Sequence, residues 1–540
     1  MKRILTLFLL ILTILIFTSC ESSICSNNPF DGIDELRNNI ICGEDVIFEE
    51  LGSSGSFSNP YIVSFKEDVS LNDIYSIVKE YNFELLSNSY QRVFLIDINN
   101  IDDFNKVNGR FISFIQKDIN NRYSLAENDS QTQISESYNF NFEGFDQIEI
   151  KSDIVIAVLD SGVNRNHIAL DGVNILDGYD SVAQVSGVYS DNIGHGTSVI
   201  GLLSATKGNA SGVVGLLRTP TILPIKVTDD NGDISSSDFI RAIYYAADSG
   251  AKIINMSFCG SEYIEAEQQA INYAFAKGCI LISASGNFSM ISQYQNVVTY
   301  PSCYEHVIGV SSINENGHLS DFSFFNDNVD ITALGEGIKV ISGVTDKAVI
   351  TADGTSFSAP YISALATLIL SNLEDGVNIN SDEMAVLLRR NAIDIDGVLC
   401  VTPFETFNDR NNPIICGIED GKTYFENVIV TFNHGKVFLD GKEITSNTKI
   451  NYNGSHSLVV VYNEYLVQYL FTVDNIPLEY DCPEGNVFHE EISITFDRGT
   501  ATLNGEPYYS GKTINKSGHY HFVLTGPYGN KVEKTFMDTV

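Results

Sequence analysis

The sequence predicts an α/β protein: a parallel-sheet domain at its centre, a small α+β domain before it and two small all-β sandwich modules after it. Three observations carry this expectation. Short apolar runs alternate with helical stretches between residues 132 and 400, as buried parallel strands joined by crossover helices require. Residues 59–121 follow a strand, helix, strand, helix, strand rhythm. Residues 413–476 and 477–540 show period-two apolar runs and Gly-marked turns, with no helical pattern.

The chain has 540 residues, enough for several domains, and 44% of them are hydrophobic. Its formal net charge is −37, which argues against nucleic-acid binding, because phosphate contacts need clustered Lys and Arg. Residues 1–20 read as an export signal. Lys2 and Arg3 precede an apolar run, residues 4–17, that is short for a spanning helix. The run ends in Phe17, Thr18, Ser19 and Cys20, which resembles the lipobox of bacterial lipoproteins. That resemblance implies diacylation of Cys20 and a stable membrane anchor, hence an exported, cell-surface or secreted protein. Residues 21–58 are polar and acidic and read as a tether. Without Cys20, eight of the nine cysteines remain. Export permits disulfides, no C-x-x-C pair suggests zinc or redox chemistry, and the sequence assigns no pairing.

In the first domain, residues 61–65, 93–98 and 111–118 read as strands, and residues 71–81 and 101–107 as helices. In the central domain, residues 154–159, 222–227, 252–256, 279–284, 307–310 and 339–341 read as parallel strands. Residues 237–248 and 264–276 read as helices, the second stopped by Gly278. In the tail, residues 420–459 align without gaps on residues 484–523, matching Phe432 to Phe496, Gly435 to Gly499 and Gly441 to Gly505. These modules resemble the immunoglobulin-like repeats of bacterial surface proteins, as spacers or as carriers of a cell-surface ligand site.

Three segments carry chemistry. Asp160 ends the apolar run IVIAVLD and is followed by Ser161 and Gly162. His195 lies in GHGT, where glycines permit a tight turn into a helix expected over residues 197–205. Ser356 lies in DGTS and opens an almost wholly apolar helix over residues 357–370, with Pro360 near its first turn. A serine hydroxyl needs a base to take its proton and a carboxylate to orient that base. The order Asp, His, Ser is the one recorded for subtilisin. With the local sequences it resembles the subtilases, the subtilisin-like serine proteases, over most of the chain.

The resemblance implies an Asp160–His195–Ser356 triad acting through an acyl-enzyme. It implies an oxyanion hole of the Asn287 side chain and the Ser356 N–H, a substrate-pairing strand of Ser257, Phe258, Cys259 and Gly260, and an opposite pocket wall of Ala284, Ser285 and Gly286. Thr299 falls at the pocket floor and Phe288 at its rim, so modest hydrophobic side chains are the expected preference. Residues 59–121 resemble an inhibitory propeptide, with self-processing expected within residues 118–137. No cofactor is required for the chemistry. The resemblance also raises a structural calcium: residues 207–212, with Asn209 as candidate ligand, match the family's calcium loop in position. An expected Asp is Ala169 here, however, and Ca²⁺ needs oxygen ligands. Protein or peptide substrates are the expected partners. The rival readings are a maturation protease dedicated to one exported peptide and a catalytically inert surface adhesin.

Overall fold

The computed structural model describes residues 57–87, 92–121, 145–188, 190–287, 296–481, 487–489, 491–527 and 529–539. Cys20, the tether, Phe288 and most of residues 118–137 lie outside them. Among the described residues, no helix is long and apolar enough to cross a membrane.

The N-terminal domain contains β1 (Pro60–Phe65), α1 (Leu71–Val78), β2 (Phe83–Leu85), β3 (Val93–Asp97), α2 (Ile101–Asn108) and β4 (Ile112–Lys117). Its sheet has the order β2-β3-β1-β4. The short strand β2 was not expected from the sequence. It exists because its backbone pairs with β3 from Phe83 opposite Ile96 to Leu85 opposite Phe94. Both helices begin with a side-chain cap, Ser70 for α1 and Asn100 for α2. One face of the sheet and both helices enclose a core of Val63, Phe65, Ile74, Phe94, Ile96 and Phe104.

The central domain is built on six parallel strands: β5 (Val155–Asp160), β6 (Thr221–Lys226), β7 (Ile253–Met256), β8 (Ile280–Ala284), β9 (Val307–Ile313) and β10 (Ile331–Leu334). Their spatial order is β10-β9-β8-β7-β5-β6. Successive side chains enter opposite cores. Ile156 and Val158 of β5 face one hydrophobic cluster, Ala157 and Leu159 the other. Burial on both faces explains why these strands read as unbroken apolar runs.

Five helices cover the sheet: α3 (His195–Ser204), α4 (Ser236–Asp248), α5 (Glu265–Ala276), α6 (Thr355–Ser371) and α7 (Ser381–Arg390). Helices α3, α6 and α7 contribute to the first cluster, α4 and α5 to the second. One expected strand is corrected. Residues 339–341 do not join the parallel sheet; Ile338–Ile341 pairs antiparallel with Val349–Ala352 in a hairpin. The sheet position goes to β10, whose short sequence ITAL carries little signal of its own.

The N-terminal domain sits on the second helical layer. Ile62, Leu86, Val93 and Leu95 join the cluster built by α4 and α5. Asp118 caps α4, accepting hydrogen bonds from the Ser237 N–H at 3.2 Å and Oγ at 2.9 Å. Arg241 of α4 pairs with Glu84 at 2.5 Å. Beyond β4, the backbone of Asn120–Asn121 pairs antiparallel with Ile234–Ser235.

The tail forms two all-β units with separate cores. The repeat is preserved strand by strand. Lys436–Leu439 answers to Thr500–Leu503, Lys442–Ile444 to Glu506–Tyr508, and Gly454–Tyr462 to Gly518–Thr525. In the first unit, residues of two sheets, Val428 and Ile450 of one and Val460 and Phe471 of the other, share a core, as a sandwich does.

Candidate active site

Strand order decides where the site lies. The chain runs β5, then β6 on one side, then β7 on the other. The carboxyl ends of β5 and β7 therefore border the point where the order reverses, the place where open parallel sheets hold their sites. Asp160 is the last residue of β5, and Ser257 follows β7 directly.

Asp160 and His195 meet here. Asp160 Oδ1 lies 2.8 Å from His195 Nδ1 and accepts the Ser161 N–H at 2.7 Å. Both residues are buried, Asp160 at 1% exposure and His195 at 0%. His195 is the first residue of α3, earlier than the expected helix start. Gly194 before it has φ +95°, a left-handed turn that glycine adopts without strain.

Asp191, which the sequence reading missed, locks this pair. Its Oδ1 accepts from Ser161 Oγ at 2.8 Å and Gly194 N at 2.7 Å. Its Oδ2 accepts from Thr197 N at 2.8 Å and Thr197 Oγ1 at 2.7 Å. Ser161 Oγ in turn accepts the Gly196 N–H at 2.9 Å. One carboxylate thus ties the end of β5 to the start of α3. The available signal was an acidic residue just ahead of GHGT.

Ser356 stands in the first turn of α6 at 3% exposure. The His195 ring lies 6.0 Å from that of Phe357, which puts the imidazole beside this turn. The Ser356 hydroxyl donates to the Ser257 carbonyl at 2.8 Å, and Ser257 Oγ donates to the Ser356 carbonyl at 2.9 Å. Asn255 of β7 extends the tie, donating to Ser257 Oγ and accepting from Ser363 of α6, each at 2.9 Å.

Asn287 lies close to Ser356 in space. Its Oδ1 accepts both the N–H and the hydroxyl of Thr355, each at 2.9 Å. With the oxygen held this way, the Nδ2 amide is the end left to point elsewhere. Thr355 is a second residue the sequence reading missed; it also accepts the Gly286 N–H at 3.0 Å.

The expected substrate segments fare unevenly. Ala284, Ser285, Gly286 and Thr299 do come together: Thr299 Oγ1 donates to the Ser285 carbonyl at 2.6 Å. Phe258 faces inward, against Phe239 with ring centroids 5.7 Å apart. Gly260 is not free to pair with a substrate. Its N–H and carbonyl are bonded to Tyr300 at 2.7 and 2.9 Å. The groove edge on this side is therefore shorter than expected.

Asn209 folds back on its own loop. Its Oδ1 accepts from Ser211 N at 2.8 Å, from Ser211 Oγ and from Gly212 N at 3.2 Å, and its amide reaches Val213 O at 2.7 Å. An oxygen so engaged does not fit a cation. The described cysteines, Cys259, Cys279, Cys303, Cys400 and Cys416, are free thiols.

Comparison with known proteins gives the family. Residues 151–425 match the Subtilase family. The chain belongs to the subtilase family, and this region is a subtilisin-like serine peptidase domain. It is 34% identical over 224 residues to the thermophilic serine proteinase of Bacillus sp. (strain AK1), covering 42% of this chain and 54% of that protein. It is 33% identical over 226 residues to thermitase of Thermoactinomyces vulgaris, covering 42% of this chain and 78% of that protein. The match thus spans about half of the first relative and about three quarters of the second. Among solved structures, the epidermin leader peptide processing serine protease of Staphylococcus aureus matches with TM-score 0.51 and 20% identity, over 65% of this chain and all of that one; at that identity the likeness is one of fold.

Proposed function

We propose that this chain is an exported serine endopeptidase, made as a self-processing zymogen and held at the bacterial cell surface through Cys20. The observation that carries the catalytic part is the buried Asp160–His195 contact of 2.8 Å beside the helix turn that presents Ser356. Ser356 Oγ attacks the peptide carbonyl and gives its proton to His195 Nε2. Catalysis requires the hydroxyl to direct its proton to the imidazole instead of to Ser257. Asp160 holds the Nδ1 side and stabilises the imidazolium. His195 then protonates the departing amine, and the acyl-enzyme is released by water along the reverse proton path. The Asn287 amide and the Ser356 N–H at the start of α6 receive the negative oxygen of the tetrahedral intermediate.

The zymogen reading is supported by the docking of residues 57–121 on α4 and α5 and by the pairing of Asn120–Asn121 with Ile234–Ser235. The all-β units then act as a stalk or as a module for a surface ligand.

Ser356→Ala tests the reading. The variant should neither process itself nor hydrolyse peptides, and the wild-type chain should be labelled by a fluorophosphonate at Ser356. Normal processing of the variant in pure preparation would remove self-cleavage. Absence of labelling would leave the inert-adhesin alternative.

A further inference from the structure

The attacked carbonyl must sit against Ser356 with its oxygen toward Asn287. Its leaving amine must face His195, which protonates it. The side chain on the acyl side is then directed away from His195, between the segments that follow β7 and β8. Those segments are closed on one another. The thiol of Cys259 accepts the Asn287 N–H and rests against Gly286. A β-carbon on Gly286 would overlap Cys259 Sγ and come within 2.9 Å of Phe324. Gly286 itself has φ +100°, so both its conformation and the thiol require glycine there. The third side is also fastened: Gly260 to Tyr300 by two backbone bonds, and Thr299 Oγ1 to Ser285 O at 2.6 Å and Ser302 Oγ at 2.9 Å. Cys259, Ser285 and Thr299 are all buried.

We propose that the Cys259 side chain fills the primary specificity pocket, so that this protease cleaves after residues no larger than alanine or serine. This rests on the peptidase reading and narrows its substrate class below the modest hydrophobic residues suggested by sequence. A side chain as large as Leu or Phe would have to displace a thiol wedged between two walls that are themselves hydrogen-bonded to the floor.

The chain supplies its own substrate. Within residues 122–137 (RYSLAENDSQTQISES), small residues such as Ser124 and Ala126 alternate with large ones. N-terminal sequencing of the self-processed protein should show cleavage after a small residue. Cleavage after Arg122, Tyr123 or Leu125 would overturn the proposal. In the processed enzyme, peptide p-nitroanilides ending in Ala should exceed those ending in Phe by at least about 10-fold in kcat/KM. Cys259→Gly should raise the Phe-to-Ala ratio by about 10-fold or more. An unchanged ratio in a variant that still takes the fluorophosphonate label would show that Cys259 does not set the pocket. If the wild type neither labels nor hydrolyses any peptide, the peptidase reading itself fails, a result distinct from a labelled enzyme that prefers Phe.

Discussion

Asp191 shows how much of the site depends on one side chain that carries no chemistry. It accepts four hydrogen bonds from Ser161, Gly194 and Thr197, and it is buried. Asp191→Asn turns one acceptor into a donor facing donors. The expected cost is about 2–3 kcal/mol of stability, read by chemical denaturation, with a lower kcat because the Asp160–His195 geometry loosens. On the proposed mechanism, Asn287→Ala removes a donor to the developing oxyanion. It should lower kcat by roughly 10²–10³ with little change in KM, a magnitude taken from the recorded subtilisin case. Burial pushes the Cys259 thiol up to about 12, so its thiolate fraction at pH 8 is on the order of 10⁻⁴. Iodoacetamide should leave Cys259 unmodified in the native protein and modify it after denaturation, as mass mapping would show.

Among the elements, α4 is where the N-terminal domain meets the catalytic domain. It packs into the second core, and the N-terminal domain caps it through Asp118. Burial raises the carboxyl of Asp118 above its ordinary 3.8, outweighing the Ser237 hydrogen bonds that lower it. Burial also raises Asp238, against the lowering effect of Arg241. A carboxyl raised in the docked state favours docking when protonated. Its contribution is present below pH 3.8 and lost as pH rises through the raised value. After processing, the N-terminal domain should therefore separate more readily at neutral pH than at or below pH 3.8. Gel filtration of the cut protein across that range checks this, and firmer retention at the higher pH would contradict it. Helix α6 plays the complementary part. It packs against β7, β8, β9 and β10, which fixes Ser356 in the frame of the central sheet.

For the whole molecule, the two all-β units differ in their attachment. The first is joined to the catalytic domain by Arg390, which donates to Pro413 O at 2.8 Å, and by His434 against Asn411 O at 3.0 Å. The second is joined to the first through Arg498 and Asp474 at 3.0 Å. Deleting residues 477–540 should leave kcat/KM for a small peptide within about 2-fold, because the second unit has its own core. A large loss would show that the tail supports the site. Cys20→Ser should release the protein from the membrane fraction, which immunoblotting of fractions would detect.

The sequence by itself determined the parallel-sheet class, the repeated tail and the three segments bearing Asp160, His195 and Ser356. These were legible because a strand buried on both faces must be apolar throughout, and because tight turns around polar groups need glycine. Only the tertiary structure decided what depends on neighbours distant along the chain. It assigned the sixth parallel strand to Ile331–Leu334 instead of residues 339–341, since pairing partners and not composition select a strand's place in the sheet. It brought Asp191 and Thr355 into the site, since a hydrogen-bond acceptor has no periodicity to betray it. It also set Cys259 against Gly286, a contact between the ends of two adjacent strands that only sheet order creates.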